Sequence, residues 1–432
     1  MRFALATLMA ITSLTPAVAH PWTKTYVVEW SEAAFYYGAK EGVIAPGTDC
    51  PKGTNPDIDW VKVMVDAGYT KEEATWLRNP ANPTRSAIHS QNQMAFRGKD
   101  RANVYANPTS TPESGEFLPV SGAVAEGLNL DGDERTGFSG LAGEKGVDNN
   151  FYKALGCWKY LRGPQRQANG NQSQNGYMRD GRFTTVIVVS GQGPDPMNDP
   201  KVTVGFYDSP DAMVKDGNGN IARDYTFRIR PSAKYEVLFP AKTAGGEIVS
   251  TEAAKDAWFR EPSYAREVEL LKAQLRLKMQ PDGSLKGYIG GYRPWRPVYQ
   301  SWVDARGPVI EELMWVRLPD IYYALRRYAD YSPAGPRGEK THISYAMRVE
   351  ALPAYVMTPD AKAQVAKAQS FKTLARGPDP EMARTKYNVV DGVVVPLGAK
   401  AISQTAEQLR PPAAGAAKPA VAAAQRNAAG GL

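Results

Sequence analysis

Apolar and polar residues alternate with a period of two from Leu275 to Met279, where Arg276 and Lys278 stand between Leu275, Leu277 and Met279. Pro281-Asp282-Gly283 follows as a turn, and Leu285 to Ile289 returns. A strand buried on one face reads this way, and a glycine-bearing turn between two such runs makes a hairpin. Upstream, Thr184 to Val189 is β-branched and Lys201 to Tyr207 alternates. Asp216-Gly217-Asn218-Gly219-Asn220 then turns the chain into Tyr225 to Ile229, with Tyr235 to Phe239 after it. Residues 182–294 therefore predict a central antiparallel sheet or sandwich with one wet face.

Helical spacing surrounds this region. Asp59 is placed to cap a short helix through Trp60, Val63 and Met64 that stops at Gly68. Thr70 and Glu73 stand at capping-box spacing for a second helix ending before Asn79-Pro80. Phe151 to Leu161, Val309 to Trp315, Asp320 to Tyr328 and Ala361 to Ala375 also read as helices, whereas Thr25 to Trp30 and Ile343 to Val349 read as strands. Residues 79–125 and the Gln/Asn/Gly-rich stretch 163–181 read as irregular loops. The expected class is α+β, with a helical and loop region over 20–181, the β region over 182–300, and a mixed helical region over 301–407 packing on the sheet. The Pro/Ala/Gly tail 408–432 has too few large apolar groups to offset the entropy of ordering.

The first 19 residues read as an export signal. Arg2 supplies the positive start, Phe3 to Leu14 is a short apolar run, and Ala17-Val18-Ala19 is a small-x-small cleavage pattern that leaves His20 first. The apolar run is shorter than the roughly 20 residues a membrane span needs. The expectation is a periplasmic or secreted protein with no transmembrane segment. In such a compartment Cys50 and Cys157 are expected to form one disulfide. The net charge of +7 comes from 52 basic and 45 acidic residues with no dense Lys/Arg block, so nucleic acid is not an expected partner.

Two segments carry candidate chemistry. From Glu126 to Asn150, Asn129, Asp131 and Asp133 alternate among glycines, and Asp148 and Asn149 follow. Short oxygen-bearing side chains in a glycine-hinged loop suit Ca²⁺, which takes about 6–8 oxygens in irregular geometry. The same side chains also make turns with their own backbone, and the EF-hand pattern is missing. The second segment, Gly287 to Trp302, concentrates Tyr288, Tyr292, Trp295, Tyr299 and Trp302 with Arg293 and Arg296. Such aromatics either stack on a glycan or aromatic small molecule, with arginines holding carboxylates, or fill the space between a sheet and a helix.

Glu311 and Glu312 follow this patch and are the candidate catalytic carboxylates of a hydrolase. No nucleophile elbow, HExxH, phosphate loop or dinucleotide fingerprint is present. An N-terminal His20 with His89 or His342 as partner resembles the copper site of copper-dependent polysaccharide monooxygenases. Leu130-Asp131-Gly132 followed by Gly146-Val147-Asp148-Asn149 is similar to a segment of exported bacterial proteins without an assigned activity. The stretches PDIYYALRRYAD and ISYAMRVEALPAYV are similar in style to the same group. That resemblance implies a genuine feature at the Asp-rich loop and no particular chemistry. The expected function is a calcium-stabilised exported protein that binds a ligand through the Tyr/Trp/Arg patch. A hydrolase and an envelope protein that reaches a partner through its tail are the alternatives.

Overall fold

The computed structural model describes residues 21–38, 49–79, 81, 94–163, 166, 168–261, 267–304, 307–357, 387–390 and 393–396. The chain separates into two units, Met1–Asp57 with Glu113–Thr385, and Ile58–Pro112 with Lys386–Leu432. In the smaller unit, α1 (Trp60–Asp66) and α2 (Lys71–Arg78) close over Trp60, Met64, Tyr69, Ala74 and Leu77. The capping box is present, with Thr70 accepting from the Glu73 N–H at 3.1 Å and Glu73 accepting from the Thr70 N–H at 2.8 Å. Two short strands, Tyr387–Val390 and Val393–Pro396, pair with each other.

In the larger unit, β1 (Trp22–Ala33) is followed by α3 (Asn150–Leu155) and α4 (Asn169–Arg179). Next come β2 (Thr184–Gly191), β3 (Val202–Ser209), β4 (Thr226–Arg228), β5 (Val237–Ala244), β6 (Glu247–Ser250) and β7 (Ala254–Arg260). The long hairpin β8 (Glu267–Met279) and β9 (Leu285–Pro294) leads into α5 (Trp295–Asp304), α6 (Gly307–Met314) and α7 (Leu318–Tyr328). The unit ends with β10 (His342–Pro353) and β11 (Tyr355–Met357). Strand order is β6-β5-β3-β2-β1-β10-β9-β8, and β8 pairs again with β6, so eight antiparallel strands close on themselves. β7 adds to the free stretch of the β8 edge, and β11 pairs in parallel with β4.

This corrects the sequence expectation in two ways. The antiparallel sheet is a closed barrel and not a sandwich, and the strands expected at Thr25 to Trp30 and Ile343 to Val349 are part of its wall instead of lying outside a sheet built from residues 182–294. β1 and β10, from opposite ends of the unit, pair along Tyr26↔Pro353 to Ala33↔Met347 and complete the wall. Closure removes the sheet edges that an open sandwich would have to protect.

Alternate residues point inward and fill the barrel. Ile187, Val204, Phe206, Phe239, Ile248, Leu275, Leu277 and Ile289 are each at most 2 % exposed. Phe206 packs edge-on against Phe239 and Phe259, with centroids 5.9 and 5.4 Å apart. An eight-strand barrel is just wide enough for side chains to occupy its interior, as these residues do. Among the described residues no helix is long and apolar enough to cross a membrane.

The stretch 163–181, expected as a loop, contains α4. Its amides explain the difference. The β1–β2 ladder ends at Val27↔Val186. Beyond it, Asn175 accepts from the Ser31 N–H and donates to the Ser31 carbonyl, both at 2.9 Å, while Asn171 donates to Glu32 at 2.6 Å. A helix without an apolar stripe is held because its amides complete a strand that has lost its neighbour. The Phe151 to Leu161 helix is shorter than expected, with α3 stopping at Leu155 and a 3-10 turn over Lys159–Leu161. The expected helix Ala361 to Ala375, the tail and the signal segment lie outside the described residues.

Candidate functional site

The outer wall of β8, β9 and β10 is organised in cross-strand rows. Arg276 pairs with Tyr288 and Tyr288 with Arg348, Gln274 pairs with Gly290 and Gly290 with Ala346, and Leu271 pairs with Tyr292 and Tyr292 with Ser344. The middle row is small. There the Asp-rich segment lies on the wall as a hairpin, bridged at Leu128↔Asp148 and Phe138↔Val147. A Cβ on Gly290 would come within 3.3 Å of Leu130, 3.4 Å of Leu128 and 3.2 Å of the Tyr345 carbonyl, so the hairpin packs closely on the wall at this glycine. Gln274 donates to the Leu130 carbonyl at 3.1 Å, and the Asn150 N–H donates to Ser344 Oγ at 2.8 Å.

At the foot of the hairpin, Glu126 receives two arginine bonds. Arg348 donates to it through Nε and Nη2, each at 2.6 Å, and reaches Glu32 through Nη1 at 2.6 Å and the Phe35 carbonyl at 2.7 Å. The Tyr288 hydroxyl also donates to Glu126, at 2.8 Å. Both glutamates are at most 5 % exposed. Burial pushes the Glu32 carboxyl up, while Arg348 pulls it back down. The hairpin is thus anchored to the barrel by charge at one end and by Leu128 and Leu130 over Gly290 in the middle.

Two polar regions flank it. On the Tyr288 flank an open groove of about 350 Å³ is lined by Glu144, Arg276, Lys278, Lys286, Tyr288 and Glu350, among others. Arg276 pairs with Glu144 at 3.0 Å and Lys286 with Glu350 at 2.9 Å. Lys278 is exposed and has no ionic partner among the described residues. On the other flank, Tyr292 stacks on Tyr331 with centroids 4.0 Å apart, beside Asp131, Asp148 and Asp330. Burial, then Asp131 and Asp330, push the Asp148 carboxyl up to about 6 against the pull of the Leu130 and Asp131 N–H groups. Burial and the same three carboxylates raise the Tyr292 hydroxyl above its ordinary value.

The Asp-rich residues are engaged as turn acceptors. Asn129 accepts from the Gly132 N–H at 2.7 Å, Asp131 from the Asp133 N–H at 2.7 Å, and Asp148 from the Leu130 N–H at 2.7 Å. Asp133 accepts from the Arg135 backbone and is bidentate with its guanidinium. Asn149 is 1 % exposed, caps α3 through the Tyr152 N–H and donates to the Ala34 and Glu126 carbonyls. Among the described residues no three His, Cys, Asp or Glu groups are arranged to hold a metal ion. Asp216 likewise accepts the Asn218 and Asn220 N–H groups of its own turn.

The Tyr/Trp/Arg segment does not form one surface. Tyr288 and Tyr292 lie on the outer wall on opposite sides of the hairpin. Arg293 is buried, paired with Glu261 at 2.7 Å beneath the Tyr345 ring. Trp295, Tyr299 and Trp302, for which ligand contact and packing between sheet and helix were both open, are core residues of α5. Trp302 meets Trp158 edge-on at 5.4 Å, and Trp295 and Tyr299 each meet Tyr322 of α7 at 5.3 Å. Arg296 remains exposed, over Trp295 and near Glu339. Glu311 is fully buried and accepts the Leu318 N–H at 2.7 Å, which tethers the start of α7, while Glu312 is exposed. Neither glutamate lines the groove.

Cys50 and Cys157 are bonded, with Cα atoms 5.8 Å apart. His342 sits in β10, half-buried, with Thr341 Oγ1 2.9 Å from Nδ1; His20 and His89 lie outside the described residues. Sequence reasoning missed Tyr331, Asp330, Lys272 and Arg276. Only Arg276 carried a signal, as a polar position on the wet face of the β8–β9 hairpin. Comparison with protein-family models, curated proteins and solved structures finds no match. The functional reading therefore rests on the geometry.

Proposed function

We propose that the chain is an exported protein that binds an acid-bearing glycan in the groove on the Tyr288 flank. The observation that carries this reading is the groove itself. It combines a half-buried tyrosine ring with Arg276 and with the Lys278 ammonium, which has no ionic partner among the described residues. A sugar presents an apolar C–H face to a ring and hydroxyls to charged side chains, and a uronic carboxylate matches an arginine fork. The volume lies in the range of small-ligand sites, about 300–1,000 Å³. The N-terminal pattern and the Cys50–Cys157 disulfide support export.

Calorimetric titration with a uronic-acid oligosaccharide and its neutral counterpart tests this. The acidic sugar is expected to bind more tightly, with R276A and K278A each weakening it by up to about tenfold, near the ~1.4 kcal/mol that a factor of ten represents. Equal affinity for the two sugars, or an unchanged affinity in both variants, would reject the groove.

This reading does not depend on calcium: Asn129, Asp131, Asp133 and Asn149 each accept a backbone N–H and keep a lone pair for a cation, and the calcium expectation is checked separately. Chelator-stripped protein is expected to keep its Tm when calcium is added. A rise of about 4 °C, worth ~1–2 kcal/mol for a domain of this size, would restore the cation.

A further inference from the structure

Two cross-strand rows line the groove on the Tyr288 flank, and one of them sets out its charges in a fixed order. Register places Glu247 of β6 opposite Lys278 of β8, Lys278 opposite Lys286 of β9, and Lys286 opposite Glu350 of β10. Directly paired residues share a face of the sheet, and all four line the groove. The row therefore reads acid, base, base, acid. Its acid on β10 is held in place, since Glu350 takes Lys286 at 2.9 Å and Arg166 at 2.7 Å. The acid on β6 is not: Glu247 makes no ion pair or side-chain hydrogen bond among the described residues.

The second row runs Arg276, Tyr288, Arg348 and lies two residues along each strand, about 7 Å away. Arg348 is engaged by Glu126 and Glu32. Arg276 is met from the hairpin by Glu144 at 3.0 Å, and the second oxygen of Glu144 accepts the Ala142 N–H at 2.9 Å. A guanidinium has five N–H donors, so this contact leaves Arg276 donors for a ligand. Lys278 and the remaining donors of Arg276 thus form one cationic corner. Glu247 stands on one side of it, Glu350 beyond Lys286 on the other, and Glu144 across Arg276.

We propose that the groove selects a glycan whose acid group is isolated, one uronic residue flanked by neutral sugars, over a run of consecutive uronic residues, with the unpaired Glu247 setting that limit. The proposal rests on the acid-binding reading of this groove and narrows its substrate class. One carboxylate fits the corner between Lys278 and Arg276. Neighbouring sugar units advance by about one strand spacing, ~4.8 Å. A second acid laid along the row in one direction reaches Lys286, whose charge Glu350 already offsets, and a third meets Glu350 itself. In the other direction the next acid meets Glu247. Two like charges about 7 Å apart in water lower an affinity by a factor of about three. Neutral flanking sugars escape that repulsion, and their hydroxyls can donate to the same glutamates.

The test is calorimetric titration of the intact, disulfide-bonded chain with a neutral trisaccharide, a trisaccharide carrying one uronic residue among neutral sugars, and tri-galacturonate. The single-acid sugar is expected to bind at least about threefold more tightly than tri-galacturonate. E247Q is expected to remove most of that preference by tightening tri-galacturonate, and to change the single-acid affinity less. The Glu247 side chain holds no described residue in place, so this variant keeps the fold and stays informative. Tri-galacturonate binding as tightly as the single-acid sugar, or more tightly, overturns the proposal and leaves the acid-binding groove standing. A preference unchanged in E247Q overturns it in the same way. A single-acid sugar that binds no better than the neutral one overturns both readings.

Discussion

Replacing Arg348 by methionine is expected to destabilise the barrel by about 3–5 kcal/mol, the usual result of removing one partner of a buried ionic group. The guanidinium satisfies Glu126 with two bonds, Glu32 with one and the Phe35 carbonyl with another. Methionine fills a similar volume, so the loss is not chiefly a cavity. It is two carboxylates, each at most 5 % exposed, left without their counterion. Lysine should rescue little, because a point charge on a flexible stem cannot reproduce the planar fork. Urea unfolding would show a lower midpoint with the slope unchanged. The hairpin 126–150 should also become the first site of proteolytic cleavage. The decisive comparison adds E32Q and E126Q to R348M. If stranded charge is the cause, the triple variant recovers part of the loss, since neutral amides cost less to bury than unpaired carboxylates. A loss below about 1 kcal/mol in R348M alone would mean that both carboxylates relax to water.

What could be read from the sequence follows from how local each feature is. The β8–β9 hairpin was legible because Leu275, Leu277 and Met279 face the core, Arg276 and Lys278 face water, and Pro281-Asp282-Gly283 makes the turn. The Thr70–Glu73 capping box was legible for the same reason: two residues three apart make both bonds. Barrel closure was not, because it depends on β1 meeting β10 and β6 meeting β8, and nothing local in Tyr26 or Pro353 names its partner. α4 was missed because its Asn residues act through tertiary bonds to Ser31 and Glu32. The aromatic segment, open between ligand contact and packing, divides for a geometric reason. Period-two positions set Tyr288 and Tyr292 on the outer wall, then the switch to α5 at Trp295 turns the following rings into the core. In the Asp-rich loop, the short oxygens that suit a cation are the same ones that close turns, and only coordinates show which N–H groups already hold them. The influence of Asp131, Asp148 and Asp330 on Tyr292 was invisible because these residues are far apart along the chain.

Removing the disulfide with C50A and C157A together is expected to cost about 4–5 kcal/mol, the chain-entropy value for a loop of roughly 100 residues. The bond closes a separation of 107 residues between the end of the N-terminal segment and the residues just after α3. That loop contains Ile58–Pro112, which packs around its own core of Trp60, Met64 and Tyr69. If this unit stays folded while the barrel opens, the flexible part of the loop is roughly halved. Loop entropy grows only with the logarithm of length, so this lowers the gain by about 0.6 kcal/mol and leaves most of it intact. The surroundings add a second reason for a large effect. Arg162 and Asp49 form a buried pair at 2.5 Å beside the sulfurs, and Arg162 also donates to the Gly156 carbonyl at 2.9 Å. The Ser121 N–H bonds the Asp49 carbonyl and the Asn55 N–H bonds the Cys157 carbonyl, so the disulfide positions a charge pair that cannot reach water. With both cysteines at most 2 % exposed, a reductant should not act on the native fold and should act once denaturant opens it. Thiol labelling followed by denaturant titration separates the two regimes. A variant losing less than about 1 kcal/mol would show that the Asp49–Arg162 pair holds this corner without the covalent bond, and that the unfolded chain already keeps the two segments close.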